Sequence, residues 1–143
     1  GRIYELKVEL LKNHTLEAVL SMPNELFFNS NVGVIACVMI FTAHRPHPAT
    51  KETYFGYYKD DGFVKRKGKG RIDALGAWQS VKEKWLNYFL NRKAEPGFSV
   101  NQVVSAEDEW CAEAFMETDY EQLTKADFAK EVRKYFLYNE LNK

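Results

Sequence analysis

Apolar positions near the start of the chain recur at helical intervals. Ile3, Leu6, Leu10 and Leu11 share one stripe, which predicts an amphipathic helix over residues 3–12 ended by Asn13 and His14. Thr15 to Leu20 (TLEAVL) is a short apolar run suited to a buried strand, and Met22-Pro23-Asn24 breaks it. Residues 25–31, ELFFNSN, read as a loop carrying two adjacent phenylalanines. Residues 32–42 (VGVIACVMIFT) form the strongest strand signal; they are apolar on both faces, which predicts a central place in a sheet. Arg45-Pro46-His47-Pro48 forces a loop, and residues 53–58 (TYFGYY) read as a second, aromatic strand. The two strands stand close enough in sequence to pair as an antiparallel hairpin. Asp60-Asp61-Gly62 is turn chemistry, after which Phe63 to Lys67 continue as a ribbon into a basic loop.

Helical periodicity then returns. Trp78, Val81, Trp85, Tyr88 and Phe89 line one face of a helix expected over residues 77–92, stopped by Pro96-Gly97. Residues 98–104 alternate weakly and suit a short strand or an extended arm. Ser105 with Asp108 has the spacing of a capping box, predicting a short helix through Trp110 and Phe115. Thr124 with Asp127 repeats that spacing, opening a last helix with Phe128, Val132, Tyr135 and Phe136 on one stripe. The expected class is α/β. Residues 1–73 would hold the strands and the basic loop, and residues 74–143 a mainly helical extension.

Composition narrows the functional classes. Twenty basic and twenty acidic side chains cancel, so there is no global attraction to nucleic acid or membrane. The charge is local instead. Residues 65–71 read KRKGKGR, whereas residues 105–122 carry seven acids and no base. Cys37 and Cys111, widely spaced and without a disulfide framework, suit a reducing compartment such as the cytoplasm, with Cys37 expected inside a buried strand. The longest apolar stretch, Val32 to Ala43, falls short of the roughly 18 residues of a membrane span. A chain that opens at Gly1 and passes at once into helical periodicity reads as a piece of a larger polypeptide.

Few residues offer chemistry of their own. His44 and His47 have the spacing of a metal pair, but Pro46 lies between them and no further ligand is near in sequence; a solvated loop is the simpler reading. Asp60 and Asp61 precede a glycine and fit a turn better than a catalytic pair. Gly68-Lys69-Gly70 lacks the spacing of a phosphate-binding loop. The basic run Lys65, Arg66, Lys67, Lys69 and Arg71 is either a solvated hairpin end or a loop that contacts DNA phosphates without reading sequence. Phe27 and Phe28, adjacent in a polar loop, are either core or a pair of which one presents its π-face to a base.

Residues 11–42, LKNHTLEAVLSMPNELFFNSNVGVIACVMIFT, resemble the second half of an adenine-N6 DNA methyltransferase domain. The best likeness is to the modification subunit of type I restriction–modification systems. YFGYYKDDGFVKRKGKGRID (residues 54–73) and DEWCAEAFMETDY (residues 108–120) are similar to the same family. The resemblance implies the closing strands of a class I, Rossmann-like, S-adenosylmethionine-dependent methyltransferase sheet. These would be Thr15 to Leu20 followed by the hairpin of Val34 to Thr42 with Thr53 to Tyr58. It implies that the loop before the hairpin holds the aromatic that stacks on a flipped adenine, Phe28 by position and Phe27 otherwise. Asn29 stands where many relatives have proline.

The resemblance also says what is missing. The family's cofactor cradle is a Gly-rich turn after a first strand, and its catalytic motif is Asn/Asp-Pro-Pro-Tyr/Phe. Pro23, Pro46, Pro48 and Pro96 are never adjacent, and neither element occurs. The expectation is therefore a chain without catalytic or cofactor-binding residues, inactive by itself. Its implied partners are double-stranded DNA, the remaining N-terminal part of the methyltransferase, a specificity (S) subunit and a restriction (R) subunit. A non-catalytic DNA-binding or subunit-assembly module is the alternative.

Overall fold

The computed structural model describes residues 1–116 and Arg133. The predicted last helix, with its Thr124–Asp127 box and its Tyr135, Phe136 and Tyr138 stripe, lies outside the described residues. Helix α1 (Arg2–Asn13) leads into strand β1 (Thr15–Ser21), followed by β2 (Cys37–Thr42), β3 (Glu52–Tyr57), β4 (Val64–Arg66), β5 (Gly70–Ile72), helix α2 (Trp78–Asn91) and β6 (Ser99–Val103). The main sheet runs β2-β1-β3-β6, and β4 with β5 form a separate two-stranded ribbon.

The class is mixed α/β with mostly antiparallel pairing; among the described residues only β1 and β3 run parallel. The expected hairpin between residues 34–42 and 53–58 is not present. β2 folds back antiparallel on β1, and β3 pairs with the opposite edge of β1. The reason lies in the connecting loop. The Thr15 hydroxyl donates to the Arg45 carbonyl (2.9 Å), the Leu16 amide donates to His47 Nδ1 (3.1 Å), and the His47 amide donates to the Leu11 carbonyl (2.8 Å). These bonds carry the chain across the start of β1 and deliver β3 to its far side. β1 gains two neighbours and becomes the buried strand, whereas β2 lies at the sheet edge. Cys37 is accordingly exposed rather than buried.

A bulge decides which side chains of β1 meet which face. The register with β2 slips between Leu16 and Ala18, so Glu17 is the extra residue. Leu16 and Val19 therefore share one face with Phe55, Val104, Trp110 and Ala112, while Ala18 joins Tyr54 and Tyr58 on the other. Glu17 turns out to the rim, where it accepts from the Thr42 hydroxyl and pairs with Lys51 and Arg92.

Helix α2 covers the second face as its aromatic stripe predicts, with Trp85, Tyr88 and Phe89 against Tyr54 and Tyr58. Tyr58 stacks on Trp85 with ring centroids 4.7 Å apart, and its hydroxyl donates to the Trp85 carbonyl (2.7 Å) while sharing a hydrogen bond with Tyr54. Gly56 makes this possible, because a Cβ there would lie 2.7 Å from the Tyr58 ring. Burial in this cluster pushes the Tyr58 phenol far above its ordinary range. The alternating residues 98–104 resolve as β6, which closes the sheet beside β3. The Ser105–Asp108 bonds form, but no α-helix follows. Trp110 Nε1 donates back to the Ser105 carbonyl and its ring enters the core, leaving only a 3₁₀ turn at Ala112–Ala114.

Candidate nucleic-acid interface

Both groups of residues singled out from the sequence converge beyond one end of the sheet. Pro23 ends the run from β1, and the chain turns through hydrogen bonds from the Leu26 amide to the Pro23 carbonyl (3.3 Å) and from the Phe28 amide to the Glu25 carbonyl (3.0 Å). A 3₁₀ turn over Phe28–Ser30 follows, closed by Asn31 in the left-handed region at φ 56°. Phe27 and Phe28 are both substantially exposed, at 40% and 42%.

The basic run is the β4–β5 ribbon. Lys65 pairs with Arg71 across it and Arg66 with Gly70. The tip is open, and a side chain at Gly68 would meet nothing within 4 Å. The five cations divide into two sets. Lys65 and Arg71 face the aromatic loop. The Lys65 ammonium lies 2.6 Å from a Glu25 carboxylate oxygen and 4.4 Å from the Phe28 ring centroid, so one cation touches both an acid and an aromatic face. Arg71 is 10% exposed; its Nη2 donates to both carboxylate oxygens of Asp61 at 2.7 Å, and its guanidinium covers Phe63 at 5.6 Å. Arg66, Lys67 and Lys69 are exposed and have no ion pair among the described residues.

Asp61 also sets the entry to the ribbon. The Asp60 and Asp61 carboxylates accept from the Gly62 and Phe63 amides, each at 3.0 Å, which bends the chain from β3 into β4. The turn reading of these two residues holds, and Asp61 adds the counter-charge for Arg71.

Between loop and ribbon lies an open cleft of about 460 Å³ lined by Pro23, Glu25, Tyr57, Lys59, Lys65 and Arg71, among others. Lys59 is held there by Asn24 Oδ1 (2.9 Å) and by Glu113 (3.4 Å). Burial alone would raise the Glu113 pKa. Hydrogen bonds from its own backbone amide and the Ser21 hydroxyl, together with Lys59, outweigh that and hold it below the ordinary carboxylate value. Each cation of the cleft wall thus has an acid beside it: Lys59 faces Glu113, Lys65 faces Glu25 and Arg71 faces Asp61. The Lys and Arg side chains of this wall offer hydrogen-bond donors to a phosphate or an electron-rich base edge. The acids beside the cleft are taken up by Lys59, Lys65 and Arg71, which leaves none for a sulfonium cofactor, and no glycine-rich turn follows a strand of the main sheet among the described residues. The residues present do not fit S-adenosylmethionine.

The histidines stand apart from this site. His47 Nδ1 accepts from Leu16, and His14 Nδ1 accepts from the His44 amide (3.0 Å). Among the described residues no group of three or more His, Cys, Asp or Glu is placed to hold a metal, and no helix is long and apolar enough to cross a membrane.

Sequence reasoning found the aromatic pair and the basic run but missed what joins them. Glu25 and Asp61 carry no local signal beyond loop and turn composition. Asn29 stood out only as a departure from proline. Its carboxamide accepts from the Arg71 amide (2.8 Å) and donates to the Arg71 carbonyl (3.0 Å), pairing with the ribbon edge as a strand residue would.

Residues of this chain are 41% identical over 66 positions to the type II restriction enzyme and methyltransferase RM.BcgI of Heyndrickxia coagulans, a match covering 46% of this chain and 10% of that protein. The chain thus spans about a tenth of the length of that curated relative. No solved structure matches the chain. The family model for N-6 DNA methylases matches residues 1–143, and the chain belongs to that family, the adenine-N6 DNA methyltransferases.

Proposed function

We propose that this chain supplies the target-base and DNA-backbone contacts of a restriction–modification adenine-N6 methyltransferase whose cofactor and amine-binding groups come from other parts of the protein. S-adenosylmethionine serves this family as methyl donor. The proposed setting is the modification subunit of a type I system, with specificity and restriction subunits as partners and the main sheet as the closing strands of a Rossmann-like core. Similarity to a type II restriction enzyme and methyltransferase supports a methyltransferase in a restriction–modification setting.

The observation that carries this reading is the juxtaposition of an exposed aromatic, Phe28, with a ribbon bearing three cations that have no ion pair among the described residues. A duplex from which one nucleotide is turned out needs both features. Arg66, Lys67 and Lys69 engage phosphates and fix the register of the backbone. Phe28 offers a π-face to the extruded adenine, and Phe27 is the neighbouring second choice. Lys65 sits between the two roles, and Arg71 acts through Asp61 to hold the base of the ribbon. By itself the chain neither binds the cofactor nor transfers methyl groups.

Two variants of the full-length protein test the reading. Replacing Arg66, Lys67 and Lys69 together by alanine should lower the slope of log affinity for duplex DNA against log salt by about 2.7, from roughly 0.9 per phosphate contact. An unchanged slope would remove the ribbon from the interface. Phe28→Ala should reduce kcat/KM for DNA methylation about 10- to 100-fold, since a base–aromatic stack is worth roughly 1–3 kcal/mol. Full activity in that variant would end the base-stacking assignment.

A second reading, a subunit-assembly module, has its own support in the exposed apolar run Val32, Val34, Ile35, Val38 and Met39. It predicts partner binding that survives both variants without any loss of methylation.

A further inference from the structure

We infer that Asn29 is a positioning residue that locks the basic ribbon to the aromatic loop, with Gly70 as its obligate partner. The inference rests on the function proposed above and deepens it: stacking and phosphate contact would be set by one joint rather than by two independent loops.

Three observations converge on that joint. The Asn29 carboxamide makes both hydrogen bonds that a paired strand residue would make to Arg71, although Asn29 belongs to no strand. Gly70, with φ 71°, is in the left-handed region, and a Cβ on it would lie 2.2 Å from Asn29 Oδ1. Any side chain at 70 therefore meets both backbone strain and the carboxamide itself. Finally, Asn29 follows Phe28 directly, and Lys65, opposite Arg71 in the ribbon, lies over the Phe28 ring. The carboxamide thus fixes the distance between the aromatic face and the cations. Proline at this position lacks the donor and the acceptor side chain and could not make the bridge.

Without the joint, the ribbon would be held to the loop by Lys65 through its contacts with Glu25 and the Phe28 ring, all exposed to solvent. Such exposed contacts contribute little, and the ion pair is screened by salt. Losing the bridge should leave the main sheet intact and let the ribbon swing.

The test compares wild-type full-length protein with Asn29→Ala and Asn29→Asp; Asp keeps the loop preference and one acceptor but puts a second oxygen against the Arg71 carbonyl. Hydrogen exchange of the peptide covering residues 64–72 should accelerate about tenfold in both variants, with β1 and β3 unchanged. Methylation should fall about tenfold in kcat/KM, with 2-aminopurine fluorescence at the target position showing less complete base extrusion. Unchanged ribbon exchange overturns the joint outright. Faster exchange with wild-type methylation overturns its positioning role and leaves the proposed function standing. The Phe28→Ala variant run in parallel separates the two ideas: if Phe28→Ala keeps full activity while Asn29→Ala loses it, the stacking assignment fails and the joint survives.

Discussion

The main sheet and the loop–ribbon site are held by different forces. Around β1 and β3, Leu16, Val19, Tyr54 and Phe55 are fully buried, and their positions follow from packing on two faces of one sheet. In the ribbon and its loop, Asp61 is buried while Phe27, Phe28, Lys65 and the tip stay exposed. Geometry there is set by a few directional contacts: Asn29 to Arg71, Arg71 to Asp61, Lys65 to Glu25 and Phe28. Packing is non-directional and redundant, so the sheet tolerates small losses. Directional contacts are few, so each one determines an orientation. The proposed DNA-facing surface leaves apolar and charged groups in water, and polar joints are what remain to keep it in shape.

The comparison breaks most visibly in the sheet. Phe55→Ala removes a fully buried ring that lies 4.7 Å from Phe115 and contacts the first core face. Denaturant unfolding should show a loss of roughly 3–5 kcal/mol; a loss below 1 kcal/mol would mean that this face is not the structural centre. Next comes the root of the ribbon. Asp61→Asn leaves the nearly buried Arg71 guanidinium without its counter-charge. The expected cost is roughly 2–4 kcal/mol, concentrated in faster hydrogen exchange at residues 60–72 rather than across the sheet. Uniform acceleration over β1 and β3 would show that the two regions are not separable. The smallest effect concerns the rim of the sheet. For Glu17, burial would raise the pKa, but the Thr42 and Lys51 hydrogen bonds and the Lys51 and Arg92 charges win and hold it below 4.5. A carboxylate depressed in the folded state contributes stability that is present above its unfolded pKa and lost as pH falls through its folded value. Melting temperature should therefore drop below about pH 4.5, and Glu17→Gln should remove part of that drop. An identical acid profile in the variant would take Glu17 out of the linkage.

What could be read in the sequence follows the same division. Periodicity marked α1, β1, β3 and α2 within a residue or two, because burial imprints a repeat on the chain. Adjacency misled where packing was decided elsewhere. Residues 32–42 and 53–58 are neighbours in sequence, yet His47 and Thr15 route the chain across β1 and separate them. The Glu17 bulge was equally hidden, since one extra residue leaves no compositional trace. In the site, Phe28 and the cations were visible as residue types. Asn29, Glu25 and Asp61 were not, because a hydrogen bond between distant loops has no pattern in one dimension.

Asn29 and Gly70 are far apart along the chain, yet the carboxamide of the first fills the space that the second leaves open. Shortening the amide would free that space but would not relax the left-handed backbone at 70, so glycine is favoured there either way. A homologue with a bulkier residue at the second position should have given up the amide at the first and reshaped the turn around it.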